Sequence, residues 1–191
     1  MDDTLWCGVD PGLANMGVAW LRRTGRRWEY IKAWTVETSP KMPYGSRLLE
    51  LYVGLNAPLG MPTGLPRFWA AESQEGVRVG KRERGETNHL DDRIERVLGI
   101  VWTCGLQANW GHEALTPITE VTPGFVRKVL SLPPKATKQQ IAAMVRRIVK
   151  GVPADLDEHA TDALAIAIAG ERKARGAPPS TGRRRVTHGA T

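Results

Sequence analysis

The 191-residue sequence has little cysteine and no long apolar run, and both absences narrow the class of protein. Cys7 and Cys104 are its only cysteines, in no paired or metal-ligand spacing, which argues against a disulfide framework and a cysteine-rich zinc site. No stretch approaches the roughly 20 apolar residues that a membrane span requires, and the N-terminus has no basic leader. We therefore expect a reduced, cytoplasmic protein without a membrane segment.

Acidic residues are outnumbered, with 20 Asp and Glu against 27 Lys and Arg, which gives a formal net charge of +7. An excess of this sign favours a polyanionic partner, and nucleic acid is the leading candidate. The length and the 41% hydrophobic content suit one well-filled core. We expect one domain over residues 1–172, followed by a basic tail over residues 173–191 with the composition of a disordered segment.

Apolar runs of strand length alternate with helical patterns along the chain. The patterns predict strands over residues 4–9, 16–21, 28–36, 67–71 and 118–121. They predict helices over residues 46–55, 88–106, 123–132, 135–150 and 158–173. The first three strands form an antiparallel meander and the later ones alternate with helices, which predicts an α/β fold: a mixed five-stranded sheet with helices on both faces.

Three acidic residues, far apart in the sequence, stand in apolar settings. Asp10 ends the first predicted strand, Glu72 ends the fourth, and Asp162 lies on the packing face of the last helix. A buried carboxylate is costly to desolvate unless a cation or hydrogen bonds compensate it. Helix capping explains Asp157 and Glu158 but not Asp162, which lies a full turn inside the helix.

His159 is three residues before Asp162, so both side chains share one helix face. Clusters of carboxylates without cysteine suit Mg²⁺ or Mn²⁺, and two such ions together support phosphodiester cleavage. In that scheme Asp10 bridges the ions, Glu72 and Asp162 each hold one, and His159 ligates an ion or orients the attacking water. The simpler alternatives are a turn aspartate, a solvated glutamate and a structural histidine.

These motifs resemble the RuvC family of Holliday junction resolvases, within the RNase H-like superfamily. The resemblance lies in residues 8–12 with Gly17, residues 70–72, and residues 159–167. It implies an RNase H-like fold and a Mg²⁺-dependent endodeoxyribonuclease that resolves four-way junctions by paired symmetric nicks. It also implies two Mg²⁺ ions per active site, with Mn²⁺ as a substitute, held by the four residues named above.

The resemblance assigns Lys138 to a basic position that is important for cleavage, and Arg127 matches a second basic position, with a solvated helix residue as the alternative for each. The DNA contacts expected from basic residues are Arg78, Lys81, Arg82, Arg84, Arg127, Lys135 and Lys138. The loop after Glu72 departs from the family because it lacks the aromatic or bulky residue that opens the junction. Val77 or Val79 is the substitute the loop offers.

The resemblance implies a homodimer, for which the apolar stripe of the helix over residues 88–106 is the candidate interface, with core packing as the alternative. A two-fold dimer places two active sites symmetrically on a junction. A branch-migration motor stays open as a further partner. The alternatives to a resolvase are an RNase H-like nuclease acting on other branched DNA, flaps, hybrids or RNA, a non-catalytic junction-binding module, and a nucleotide-binding ATPase.

Overall fold

The computed structural model describes residues 3–56, 66, 68–73, 89–108 and 118–176, with the backbone only for residues 89–92. Its strands are β1 (Asp3–Asp10), β2 (Asn15–Thr24), β3 (Arg27–Glu37), β4 (Phe68–Glu72), β5 (Thr119–Val121) and β6 (Val149–Lys150). Its helices are α1 (Tyr44–Asn56), α2 (His89–Ala108), α3 (Pro123–Val129), α4 (Lys138–Ile148) and α5 (Glu158–Gly176).

The described strands form one mixed sheet in the order β5-β4-β1-β2-β3-β6. β1, β2 and β3 pair antiparallel, whereas β4 pairs parallel with β1, and β5 parallel with β4. The predicted α/β class, with its meander followed by parallel strands, is confirmed. The prediction of five strands was wrong by one, because Val149 and Lys150 leave helix α4 and pair with Trp28 and Glu29 of β3.

Several predicted boundaries shift for local reasons. The turn predicted over residues 22–27 shrinks to Gly25 and Arg26, since Gly25 adopts a positive φ of 61° that permits a tight hairpin. Helix α4 begins at Lys138 rather than Lys135, because Thr137 and Gln140 form a capping box. Helix α5 continues to Gly176, so the first residues assigned to the basic tail are helical, and residues 177–191 lie outside the described residues.

Helices cover both faces of the sheet. Successive side chains of a strand point to opposite faces, and in β1 Trp6 packs with the core of α3, α4 and α5, whereas Cys7 and Val9 pack with α1 and α2. The stripe predicted on α2 lies largely in this second core, where Val97 and Val101 are fully buried. Within the described chain, no helix is both long and apolar enough to cross a bilayer.

Helix α5 runs close across the sheet because small residues face each other. A Cβ added to Gly8 would lie 2.0 Å from the carbonyl oxygen of Ala163, and one added to Gly17 would lie 2.0 Å from that of His159. Gly170 makes a similar approach to Ala70. The glycines that flank Asp10 in sequence and in the sheet therefore set the depth at which the start of α5 meets the strand ends.

Candidate active site

Asp10 and Glu72 lie beside each other at the carboxyl ends of two parallel strands. β1 and β4 pair in a register that places Val9 opposite Ala71, one residue before each carboxylate. Val9 and Ala71 both pack with α1 and α2. Because side chains alternate along a strand, Asp10 and Glu72 both point to the opposite face, where α5 lies.

The first turn of α5 brings His159 to the carboxyl ends of these two strands. Asp157 precedes the helix, and its Oδ1 accepts bonds from the backbone N–H of Ala160 at 2.9 Å and from the Thr35 hydroxyl at 2.6 Å. This agrees with the capping role predicted for Asp157. His159 Nδ1 lies 3.2 Å from Asp10 Oδ2.

Asp162 lies one turn further along α5 and forms an ion pair and hydrogen bond with Lys138. The Lys138 ammonium also lies 3.6 Å from Glu158 Oε1. The capping box of Thr137 and Gln140 fixes the start of α4, so Lys138 is the first residue of that helix. A single lysine thus balances two carboxylates of α5.

Glu72 is the carboxylate with the largest electrostatic perturbation in this cluster. Its pKa is raised from 4.5 to about 7, chiefly by burial and then by the charges of Asp10 and Asp162, although Lys138 and Arg127 oppose the shift. These influences place Glu72 among the other two carboxylates and the two cations. A carboxyl that titrates near neutrality beside two others is typical of a functional site.

The pKa values of Asp162 and Lys138 are likewise subject to opposing effects of burial and neighbouring charges. Burial raises the pKa of Asp162, and the charges of Asp10 and Glu158 add to this, although the bond to Lys138 opposes it. Burial lowers the pKa of Lys138, but its bond to Asp162 and the surrounding carboxylate charge outweigh that, so the pKa is raised. Burial is thus the main cause of the raised pKa of Asp162, and the surrounding carboxylates add to it, while one lysine only partly compensates both effects.

A cavity of about 160 Å³ opens beside the carboxylates. Glu72, Asp162, Lys138 and Arg127 supply its charged lining, and Val126, Ile141 and Ile166 are among its apolar walls. The Arg127 Nε is buried and has no hydrogen-bond partner among the described residues. The cavity therefore combines two carboxylates with two cations suited to a phosphate group.

The donor set of three carboxylates and one imidazole fits a hard divalent cation by its chemistry. Burial and the charges of Asp10 and Asp162 raise the pKa of Glu72, and a bound cation would relieve both effects. In their present conformations, no group of three or more His, Cys, Asp or Glu side chains in the described part of the chain is arranged to hold a metal ion. His159 is paired with Asp10 instead, and Lys138 with Asp162.

The other predicted DNA contacts lie either outside the cavity lining or outside the described residues. Lys135 lies on the exposed turn before α4, outside the cavity lining. The basic loop residues Arg78, Lys81, Arg82 and Arg84 lie outside the described residues, as do Val77 and Val79. Of the predicted basic contacts within the described part, Arg127 and Lys138 line the cavity.

Glu158 is the member of the cluster that sequence reasoning missed, since its position at the helix start was explained by capping. Glu158 and Asp162 are four residues apart, a spacing that puts both side chains on one helix face, and this signal was available. The role of Gly17 in seating His159 was not evident without the sheet register, which places Gly17 opposite Asp10.

Comparisons with known proteins give one consistent result. The family model described as crossover junction endodeoxyribonuclease RuvC matches residues 91–170. RuvC of Corynebacterium diphtheriae is 30% identical over 164 residues, which cover 84% of this chain and 90% of that protein. The solved structure of T. thermophilus RuvC in complex with a Holliday junction substrate has a TM-score of 0.72 and 25% identity, and the match covers 90% of this chain and 95% of that one.

Proposed function

The chain belongs to the RuvC family of crossover junction endodeoxyribonucleases, and on that basis we propose that it resolves Holliday junctions by paired symmetric nicks through Mg²⁺-dependent phosphodiester hydrolysis. The active site we assign to this reaction is the cluster of Asp10, Glu72, His159 and Asp162 with Lys138. Its substrate would be a four-way junction, as in the related structure that holds one.

The observation that carries the assignment is the burial of Glu72 beside the charges of Asp10 and Asp162, which together raise its pKa. These residues come from two strands and a helix, so folding brings negative charge together at the cost of repulsion. A protein that used the carboxylates only for stability would pair each with its own cation. The uncompensated charge, next to a cavity with two cationic side chains, supports a site for divalent ions and a phosphate.

Asp10, Glu72, Asp162 and His159 would hold two Mg²⁺ ions, with Mn²⁺ as a substitute. When bound, such ions supply charge stabilisation to the attacking and leaving oxygens of an in-line phosphoryl displacement. His159 keeps Nδ1 toward Asp10, so its Nε2 is the atom we assign to an ion or to the attacking water. Lys138 and Arg127 would bind and orient the scissile phosphate, for which the Arg127 Nε is suited because it has no partner within the described part of the chain.

We assign further phosphate contacts to the basic loop residues Arg78, Lys81, Arg82 and Arg84 and to Lys135. Binding through phosphates weakens steeply with salt. The two free, buried cysteines suit the reducing cytoplasm, where we expect the protein to act. We also propose the basic tail of residues 173–191 as an additional DNA contact, with a branch-migration motor as a candidate partner.

Paired nicks require two active sites, and we propose a two-fold homodimer. The stripe predicted as interface is largely occupied by the protein's own core. Large apolar side chains that stay exposed lie on the two helices of that face: Leu49 and Val53 on α1, and Leu106 on α2. Sedimentation equilibrium of the wild type and Leu106→Glu tests this interface: we expect a dimer that the substitution weakens, and a monomeric wild type would contradict it.

The functional proposal is tested with a panel of labelled four-way, three-way, flap and hybrid substrates in Mg²⁺ and in EDTA. We expect symmetric paired nicks on the four-way junction in Mg²⁺ and none in EDTA. Cleavage confined to flaps or hybrids would assign the site to another RNase H-like nuclease. Tight junction binding without cleavage of any substrate in Mg²⁺ would instead indicate a non-catalytic junction-binding module.

A further inference from the structure

A second cavity, of about 200 Å³, lies on the other side of the Lys138–Asp162 pair. Lys138 and Asp162 line both cavities, so this ion pair is a wall shared by the two. The walls that belong only to the second cavity include Gln139, Ala142 and Arg146 of α4 and Glu158 of α5. The active-site cleft therefore continues along the groove between the two helices.

In this second cavity, both carboxylates have a cationic partner, whereas the arginine has no carboxylate partner among the described residues. Both of its carboxylates, Glu158 and Asp162, are paired with Lys138. Arg146 donates one hydrogen bond, from Nη2 to the carbonyl oxygen of Ala154 at 3.1 Å, and forms no ion pair with a carboxylate among the described residues. A guanidinium has five N–H donors, so most of those on Arg146 are available to an anionic ligand.

The carbonyl of Ala154 also tethers Arg146 at the mouth of this groove. A tethered guanidinium loses less conformational freedom when it binds a phosphate than a free surface arginine does. Beside it, Ala142 gives the cavity a small apolar wall and Gln139 an amide that both donates and accepts hydrogen bonds. The three side chains therefore match the three parts of a nucleotide: the guanidinium suits its phosphate, the apolar wall its sugar, and the amide the polar edge of its base.

We propose that the second cavity binds the nucleotide adjacent to the scissile phosphate on the cleaved strand, with Arg146 on its phosphate. The proposal rests on the proposed function, because it assumes that the first cavity holds the scissile phosphate. Consecutive nucleotides of one strand fit consecutive cavities that share a wall. Arg146 is then a substrate-binding residue, and Gln139 is the side chain that faces the base or sugar.

The test combines a protein substitution with a chemical change in the DNA. Single-turnover cleavage is measured on four-way junctions that carry a neutral methylphosphonate at the phosphate on either side of the scissile one. With the wild type, we expect one of these two positions to lower cleavage about tenfold, the effect of losing one charged hydrogen bond. With Arg146→Ala, cleavage of the unmodified junction falls about tenfold, and the same methylphosphonate has no further effect.

Two matched controls separate this effect from general loss of positive charge or of folding. Arg147 lies in the same last turn of α4 and is exposed, but it does not line the cavity, so Arg147→Ala should keep near wild-type cleavage and full sensitivity to the methylphosphonate. Ala142→Leu fills the cavity without a change of charge and should slow cleavage, whereas Ala143→Leu, on the neighbouring exposed position, should not.

The outcomes distinguish the two proposals. If the wild type cleaves junctions but Arg146→Ala stays as sensitive to each methylphosphonate as Arg147→Ala, the second cavity is not a nucleotide site and the proposed function stands. If the wild type neither cleaves nor binds a four-way junction, the proposed function fails, and this nucleotide site fails with it.

Discussion

The two ends of helix α5 differ in how completely cations compensate a buried carboxylate. Near its C-terminus, Glu171 is only 4% exposed, and it pairs with Arg175 one turn later and with Arg23 Nε at 3.2 Å. Near its N-terminus, Asp162 has one lysine, which it shares with Glu158, and it lies among further carboxylates. The first arrangement is saturated with cations, whereas the second leaves negative charge uncompensated.

The degree of charge compensation separates a structural carboxylate from a functional one within the same helix. Arginine stays protonated, so Arg23 and Arg175 complete the charge compensation of Glu171 within the protein. The Arg23 guanidinium also packs over the ring of Trp28, with its carbon 5.0 Å from the ring centroid. The N-terminal cluster lacks this completeness, and we interpret its missing charge as the place of a ligand.

The largest effect should come from Asp162→Asn, which removes a charge from the incomplete cluster. We expect junction cleavage to fall by about a thousandfold or more with junction binding largely retained, because the carboxylate would hold an essential ion. Single-turnover cleavage and gel-shift affinity measure the two properties. The matched control, Asp155→Asn on the exposed turn before α5, should cleave like the wild type, and equal activity of both variants would contradict the assignment.

Glu171→Gln should lower stability and leave cleavage intact, unlike Asp162→Asn, which should sharply reduce cleavage. Breaking a buried ion pair leaves the partner charge unpaired, so we expect a loss of about 3–5 kcal/mol in the free energy of unfolding, with cleavage by the folded protein retained. Glu29→Gln is the control, since its pair with Arg22 is solvent-exposed and should contribute under about 1 kcal/mol. Urea denaturation compares them, and equal losses would show that Glu171 is no more important than a surface residue.

Glu72 should make stability depend on pH in the metal-free protein. Its pKa of about 7 lies above its ordinary value of 4.5, so the unfolded chain loses this proton first and the contribution of Glu72 to stability declines as pH rises from about 4.5 to 7. Glu72→Gln should therefore be more stable than the wild type by about 1–3 kcal/mol at pH 8 and nearly equal to it at pH 4.

Thermal and urea unfolding at the two pH values, in EDTA, measure this difference. Mg²⁺ should stabilise the wild type at pH 8 more than it stabilises Glu72→Gln, since a ligand that binds the folded state adds to stability. A difference between the proteins that does not change with pH would contradict the placement of Glu72 among the other carboxylates.

The smallest effect should come from Thr137→Ala, which removes the hydroxyl that caps α4 just before Lys138. We expect a loss of about 1 kcal/mol in stability and a modest decrease in cleavage, because the start of the helix positions Lys138. Thr24→Ala removes an exposed hydrogen bond to Asp3 Oδ1 at the opposite end of β1 from Asp10 and serves as the control for stability alone. An identical effect of both substitutions on cleavage would mean that the cap does not position Lys138.

Sequence patterns predicted the N-terminal cluster but not the C-terminal one. Asp10, Glu72 and Asp162 stood out because each interrupts an apolar run, and His159 because of its spacing to Asp162. Glu171 lies among charged residues near the end of α5, so nothing in the local pattern distinguishes it from a solvated glutamate. Its partner Arg23 is 148 residues away, and only the hairpin that extends β2 through the predicted turn brings the two together.

Dependence on contacts between residues distant in the sequence also explains the other differences between the predicted and the observed fold. β6 has two residues, too few for a periodic pattern, and it exists because β3 offers an open edge. The start of α4 was predictable from the Thr137 and Gln140 pattern, whereas the pairing of Lys138 with Asp162 depends on the packing of two helices. Local signals thus located the residues, and long-range packing determined their partners.

We propose that the incomplete cluster at the start of α5, and not the saturated one at its end, binds divalent cations. Titration of Mn²⁺ followed by electron paramagnetic resonance measures this directly in the wild type, Asp162→Asn and Glu171→Gln. We expect folded Glu171→Gln to bind Mn²⁺ like the wild type and Asp162→Asn to lose at least one bound ion. Wild-type binding by Asp162→Asn, or loss of binding in Glu171→Gln alone, would contradict this proposal.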